Sequence, residues 1–174
     1  KAAHIGVAMG SKGTEIAKAA ASLVITNDDL DKLIIGIAAG RRIYANIKKA
    51  IQYIISIHIP IILIVSLPLF LGWIYPHIFT PVHVIFLELI MGPTCSIVYE
   101  NEPMEKDTMQ RKPRKMTETF LNWKELSISI IQGLTITAGV LFAYQFAVQK
   151  GSSEETTRAM VFTTLIFANV FLSL

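Results

Sequence analysis

Glu88 is the residue whose type and setting most demand a chemical explanation. No Asp, Glu, Lys or Arg occurs between Ile51 and Leu87, and Glu88 then appears inside a second apolar segment, Val82–Tyr99. A carboxylate at mid-bilayer costs from roughly 2.5–3.5 kcal/mol upward. A cation, a proton or a partner side chain must offset it. His58, in the preceding apolar segment Tyr53–Leu71, is the first candidate partner. As helices, the segments place His58 about 10 Å, and Glu88 about 16 Å, in from the same side. On adjacent antiparallel helices the two reach similar depth. One turn beyond Glu88 stands Gly92-Pro93. Pro93 offers no N–H to the Leu89 carbonyl, and Pro60 offers none to that of Ser56. Both prolines are predicted to interrupt their helices, and carbonyl oxygens released at membrane depth can face an ion. Glu88, His58 and the Leu89 main-chain oxygen near Gly92 and Pro93 are therefore the candidate cation pathway. A plainer reading stays open: Glu88 and His58 only hold two helices together. Glu88, Gly92, Cys95, Ser96 and Tyr99 recur at helical spacing on one face. Cys95 reads as a small packing residue.

The elements that must position these residues are long apolar helices. At ~1.5 Å per residue, about 20 residues cross the ~30 Å hydrocarbon layer. Tyr53–Leu71 and Val82–Tyr99 are close to that length and are joined by Gly72–Pro81. A third span is expected at Leu126–Val148, a polar turn at Lys150–Arg158, and the start of a fourth span at Met160–Leu174. Leu33, Ile34, Ile37, Ile43, Ile47, Ile51 and Ile54 step by three and four among Arg41, Arg42, Lys48 and Lys49. Leu30–Leu71 therefore reads as one helix of roughly 60 Å, amphipathic first and apolar later, long enough to carry movement from a soluble domain into the bilayer. Basic residues precede the first span and fill the Glu100–Lys124 loop, and Gly72–Pro81 has none. The positive-inside rule puts residues 1–50 and 100–124 in the cytoplasm of a multi-pass membrane protein.

Composition agrees with a membrane protein: 52% hydrophobic residues, mean hydropathy +0.51 and net charge +3, with the basic residues beside the apolar spans. That placement argues against a nucleic-acid surface. One cysteine excludes an internal disulfide and a cysteine-based zinc site. Residues 1–29 are different, short and α/β: a strand at His4–Met9, a turn at Gly10–Gly13, a helix capped by Thr14 and running through Ala21, and a strand at Leu23–Thr26. The turn fails as a phosphate loop, because it lacks the first glycine and places Gly13 between Lys12 and Thr14. Asn27-Asp28-Asp29 could hold a metal, but before a helix it reads as a cap. The chain opens without Met inside a strand pattern and closes inside an apolar run, which suggests a piece of a longer protein.

Several stretches resemble one family. Gly6–Leu30, GVAMGSKGTEIAKAAASLVITNDDL, resembles the end of the phosphorylation domain of P-type cation-transporting ATPases. Gly40-Arg-Arg-Ile-Tyr-Ala-Asn-Ile-Lys-Lys49 is similar to their stalk into the fifth transmembrane helix. Glu102-Pro103 and Met109–Arg114 are similar to their loop between the sixth and seventh helices. The resemblance covers residues 1 to about 125. It implies a mainly α fold, a polytopic transmembrane helical bundle with a short remnant of a Rossmann-like, haloacid-dehalogenase-type domain at the N-terminus. It divides the chain into 1–29 (end of the phosphorylation domain), 30–50 (stalk), 51–99 (helix pair with the ion pathway), 100–124 (cytoplasmic loop) and 125–174 (second helix pair). It implies ATP hydrolysis through an aspartyl-phosphate, with ATP and Mg²⁺ bound in the missing part of the same pump. The expected partners are a transported cation and membrane lipid, with no nucleic acid. The Asp-Lys-Thr-Gly-Thr and Thr-Gly-Asp-Gly-Val-Asn-Asp-Ala-Pro motifs do not occur in this sequence, so this stretch alone is expected to have no ATPase activity. Set on the calcium-pump pattern, His58 replaces an Asn ligand, Ile61 a Glu, Glu88 an Asn, Met91 a Thr and Gly92 an Asp. One carboxylate remains where a hard dication wants about six or more oxygens. Other readings are a non-catalytic membrane subunit and, less well supported for want of an internal repeat, a secondary transporter.

Overall fold

The computed structural model describes residues 4–115 and 117–173, excepting the side chains of residues 94–96. It divides into two compact units, residues 1–44 with 103–112, and residues 45–102 with 113–174. The first contains strand β1 (Val7–Met9), helix α1 (Glu15–Ala20) and strand β2 (Leu23–Ile25). The strands pair in parallel, Val7 with Leu23 through Met9 with Ile25, as a connecting helix requires. Thr14 caps α1 by accepting the Ala17 N–H at 3.2 Å. Only Ala8 and Ile25 of this layer are buried. His4–Gly6, expected in the first strand, lie outside it. The Gly10–Gly13 turn is glycine-dependent: a Cβ on Gly13 would lie 2.1 Å from the Met9 carbonyl oxygen, and one on Gly10 2.5 Å from that of Thr26.

The aspartates at 28 and 29 act differently from each other. Asp29 accepts the Asp31 N–H at 3.0 Å, the expected capping role at the start of helix α2 (Asp31–Phe70). Asp28 instead has φ +58° and turns its carboxylate to the Ser11 and Lys12 N–H groups, each at 2.9 Å. The amides that a phosphate loop would offer a ligand are thus occupied by the protein's own carboxylate. Arg41 donates to the carbonyls of Thr108 and Arg111 at 2.7 and 2.9 Å, and Arg111 pairs with Asp107 and Glu105.

The second unit is helical. It comprises α2 from residue 45 onward, α3 (Pro81–Glu100), α4 (Trp123–Gln149) and α5 (Glu154–Ser173). α2 to α5 are each long and apolar enough to cross a membrane. The inner stripe of α2 is Asn46, Tyr53, Ser56, Ile57, Pro60, Ile61, Ile64 and Pro68, the three- and four-residue step of a packed helix face. It joins Leu87 and Met91 of α3, Val140 and Tyr144 of α4, and Val161 and Leu165 of α5 in one core. α4 starts with a capping box, Asn122 and Glu125 exchanging bonds of 2.9 and 3.0 Å. Lys48 pairs with Glu125, and Lys49 with Glu102, each at 2.6 Å.

The structure corrects two expectations. The helices run unbroken through Pro60, Pro68 and Pro93. A proline removes one helical bond, but the remaining ladder carries both helices through, and in α2 the prolines are also packed, Pro60 and Pro68 being buried while Pro93 of α3 is exposed. The expected polar turn at Lys150–Arg158 is shorter, because α5 begins at Glu154. Ser153 accepts the Thr156 N–H through its hydroxyl at 3.3 Å, and Glu154 and Glu155 place negative charge at the positive end of the helix.

Candidate functional site: an ion pair between two membrane-capable helices

The structure brings His58 of α2 and Glu88 of α3 together. Nε2 of the imidazole lies 3.2 Å from Oε1 of the carboxyl. The other ring nitrogen, Nδ1, is 2.8 Å from the Ile54 carbonyl oxygen. A carbonyl only accepts, so Nδ1 carries a hydrogen and donates it. Contact between Nε2 and the carboxylate then needs one more proton, held on the imidazole or on the carboxyl. A pair sharing that proton is neutral as a whole, which lowers the cost of placing it in a low-dielectric setting. The side chains are 42% and 49% exposed on the surface of this chain, so both remain open to a ligand or to a further helix.

The rest of the predicted constellation is arranged differently. Leu89 lies at the surface, 68% exposed, on an unbroken α3 to whose Leu89 carbonyl Pro93 gives no hydrogen. A Cβ on Gly92 would meet nothing within 4 Å, so that flank of Glu88 is open. Cys95 and Ser96 have side chains outside the described residues. Tyr99 packs against Tyr53, ring centres 5.4 Å apart. Ile61 and Met91 are core residues, 6% and 4% exposed. Among the described residues no three His, Cys, Asp or Glu side chains cluster as a metal site.

A second polar network escaped the sequence reading. Ser56 Oγ lies 2.9 Å from the Gln52 carbonyl oxygen and 3.2 Å from both the Ser129 carbonyl oxygen and Gln132 Oε1. α4 approaches α2 closely there: a Cβ on Gly133 would sit 2.9 Å from the Ser56 carbonyl oxygen. Gln132 was visible as an amide in an apolar segment, but which helix it faced was not.

At the end where the α2–α3 connection lies, aromatic residues fasten it to α4 and α5. Tyr144 stacks on Trp73 at 4.9 Å, and its hydroxyl accepts the Tyr75 N–H at 2.9 Å. Tyr75 donates to the Ser152 carbonyl at 3.0 Å, and Arg158 to that of Ile78 at 2.9 Å.

Fold and pair together define a multi-pass helical membrane protein with an ionisable pair between two of its spans. Residues 76–174 match the model of the family described as "Cation transporting ATPase, C-terminus", and the chain belongs to that family. It is 35% identical over 168 residues to Calcium-transporting ATPase 1 of Lactococcus lactis, covering 97% of this chain and 19% of that protein. To Calcium-transporting ATPase 1 of Bacillus cereus it is 33% identical over 149 residues, covering 82% and 17%. To the human Calcium-transporting ATPase type 2C member 1 it is 27% identical over 171 residues, covering 98% and 18%. The chain thus spans about a fifth of the length of these relatives.

Proposed function

We propose that this chain is the C-terminal membrane part of an ATP-driven P-type cation pump. In this reading aspartyl-phosphate chemistry, with ATP and Mg²⁺, takes place in other parts of the complete protein, and this part carries the cation. Residues 4–29 are then the last β-α-β unit of a haloacid-dehalogenase-type phosphorylation domain. Residues 1–50 and 100–124 face the cytoplasm, as the basic residues favour. The observation that carries the reading is the His58–Glu88 contact at 3.2 Å between two membrane-capable helices. A cation that binds Glu88 takes the carboxylate from its proton-bridged contact with His58, so cation and proton compete for one position. The open flank at Gly92 leaves room for that cation. One carboxylate and one imidazole fall short of the oxygen set a calcium ion wants, so the proposed cargo is a cation and not calcium in particular.

Glu88→Gln in the complete pump tests this. It keeps size and hydrogen bonding and removes the charge. Cation-stimulated ATP turnover, measured against concentration for a panel of mono- and divalent cations, should fall by about tenfold or more, the scale of losing a charged contact. Expression should be retained. Wild-type stimulation by every activating ion would reduce Glu88 to a helix contact.

A further inference from the structure

Asn169 presents an unmet chemical demand inside the bundle. It is 3% exposed, and its Nδ2 lies 3.3 Å from the Met91 sulfur. Its Oδ1 receives no hydrogen bond from the described residues. An amide oxygen left so in a low-dielectric interior loses its hydration without replacement. Asn169 also lines a chamber of about 20 Å³, walled by Tyr53, Leu87, Ile90, Met91 and Ile166. A water needs roughly 10–15 Å³ of such space, so the chamber accommodates one water. Of the residues that line it only Asn169, Tyr53 and Met91 carry a heteroatom in the side chain. They include no carboxylate, and a dication would need about six oxygens. The ligand that fits is neutral, small and able to donate to Oδ1.

Tyr53 is the wall of a second space as well. That space is an open crevice of about 250 Å³, lined also by Lys49, Gln52, Tyr99, Ser129 and Gln132. That crevice contains another buried acceptor without a partner among the described residues, Ser129 Oγ. Tyr53 is thus the residue that lines both the polar crevice and the chamber at Asn169. Neither His58 nor Glu88 lines either space. We infer that Asn169 is a buried water-binding residue, supplied from the Lys49–Gln132 crevice past Tyr53, and that this hydration route is separate from the His58–Glu88 pair.

Water beside Met91 makes its sulfur oxidisable by hydroxyl radicals generated in place. The test is pulsed radiolytic labelling of the native full-length protein in nanodiscs, with methionine oxidation read by mass spectrometry. Met104 and Met109, 39% and 40% exposed, are the accessible references. Met91, only 4% exposed, should still be oxidised within about tenfold of their rate because an ordered water lies against it. Asn169→Leu fills the chamber and removes the acceptor, and should lower Met91 labelling about fivefold or more with Met104 unchanged. Tyr53→Phe keeps the ring as a wall but loses the phenol, and should give an intermediate rate. Unlabelled Met91 in the wild-type protein overturns the inference without recourse to any variant. Labelling that is the same in wild type and Asn169→Leu overturns it too.

Discussion

The two faces of α3 deal with polar chemistry in opposite ways. Glu88 is ionisable, lies on the open face, and is met by His58 at 3.2 Å. Its neighbour Leu87 and the following Met91 point into the packed core, where Asn169 is neutral, buried and left with one partnerless oxygen among the described residues. The open face holds an ionisable group beside a partner side chain, both of them accessible at the surface of this chain. The packed face tolerates a polar group only if it is uncharged and small additions can satisfy it. The difference is one of desolvation, which penalises an unpaired ion far more than an unpaired amide.

The contrast between the faces is tested most strongly on the open one. If His58 and Glu88 form one functional unit, His58→Ala and Glu88→Gln should not add. Each alone should lower cation-stimulated turnover by about tenfold or more, and the double variant should be no worse than Glu88→Gln. Losses that multiply would separate the two residues into independent roles.

Packed contacts elsewhere in the bundle, such as that of α4 with α2, should respond to volume instead of charge. Gly133→Ala places a Cβ 2.8 Å from Ile59 Cβ and 2.9 Å from the Ser56 carbonyl oxygen, and should destabilise by about 1–3 kcal/mol. Gly139→Ala, on the same helix with nothing within 4 Å, should be neutral or stabilising by about 0.5–1 kcal/mol. Thermal unfolding in one detergent compares them directly, and a shared sign would mean that α2 and α4 do not approach closely at Gly133. Tyr144→Phe should follow with a loss toward the lower end of about 1–3 kcal/mol. It keeps the stack on Trp73 and leaves the Tyr75 N–H without its acceptor. An unchanged melting temperature would mean that the stack alone fastens the connection.

Much of the helical unit is legible in the sequence because its signals are local. The helical character of α2 and the isolated charge at Glu88 need no knowledge of the partner helix, but the packed face does: Ile34, Ile37, Ile43, Ile47 and Ile54, the stripe read from the sequence, are exposed, and Asn46, Tyr53, Ser56 and Ile57 are buried instead. The prolines mislead as interruptions because a missing N–H is visible in the sequence, while the rest of the ladder and, at Pro60 and Pro68, the packing around them are not. Ser153 is legible as a helix start but is outweighed by the charges of Lys150–Arg158. Asp28 could not be read, since its φ of +58° follows from where the Gly10–Gly13 turn lies. Asn169 carries the same signal as Glu88, a polar residue in an apolar run, and is easily passed over because a neutral amide raises no question of charge. The Ser56–Ser129–Gln132 network depends on pairing α2 with α4, which no periodicity encodes.

The smallest expected effect concerns an ion pair outside the membrane-capable helices, and it sharpens the contrast with Glu88. Asp107 accepts two hydrogen bonds from Arg111, both at 2.9 Å. The Arg111 contact holds its carboxyl below the ordinary value of 3.8. The pair is fully solvated, so its contribution to stability is small and screened by salt. A depressed folded-state value means that the contribution is complete above about pH 4, the ordinary carboxylate range, and is lost as pH falls through the folded value. The Asp107 carboxyl carbon, followed by NMR in the folded protein, should therefore titrate below pH 3.8. Arg111→Gln should return its midpoint toward that value, as should high salt in part. A midpoint at or above 3.8 in the wild-type protein would show that the pair is not populated in solution. Water weakens such a contact by solvating both partners, whereas the His58–Glu88 contact lies between two membrane-capable helices, where a low dielectric raises both the attraction and the desolvation cost.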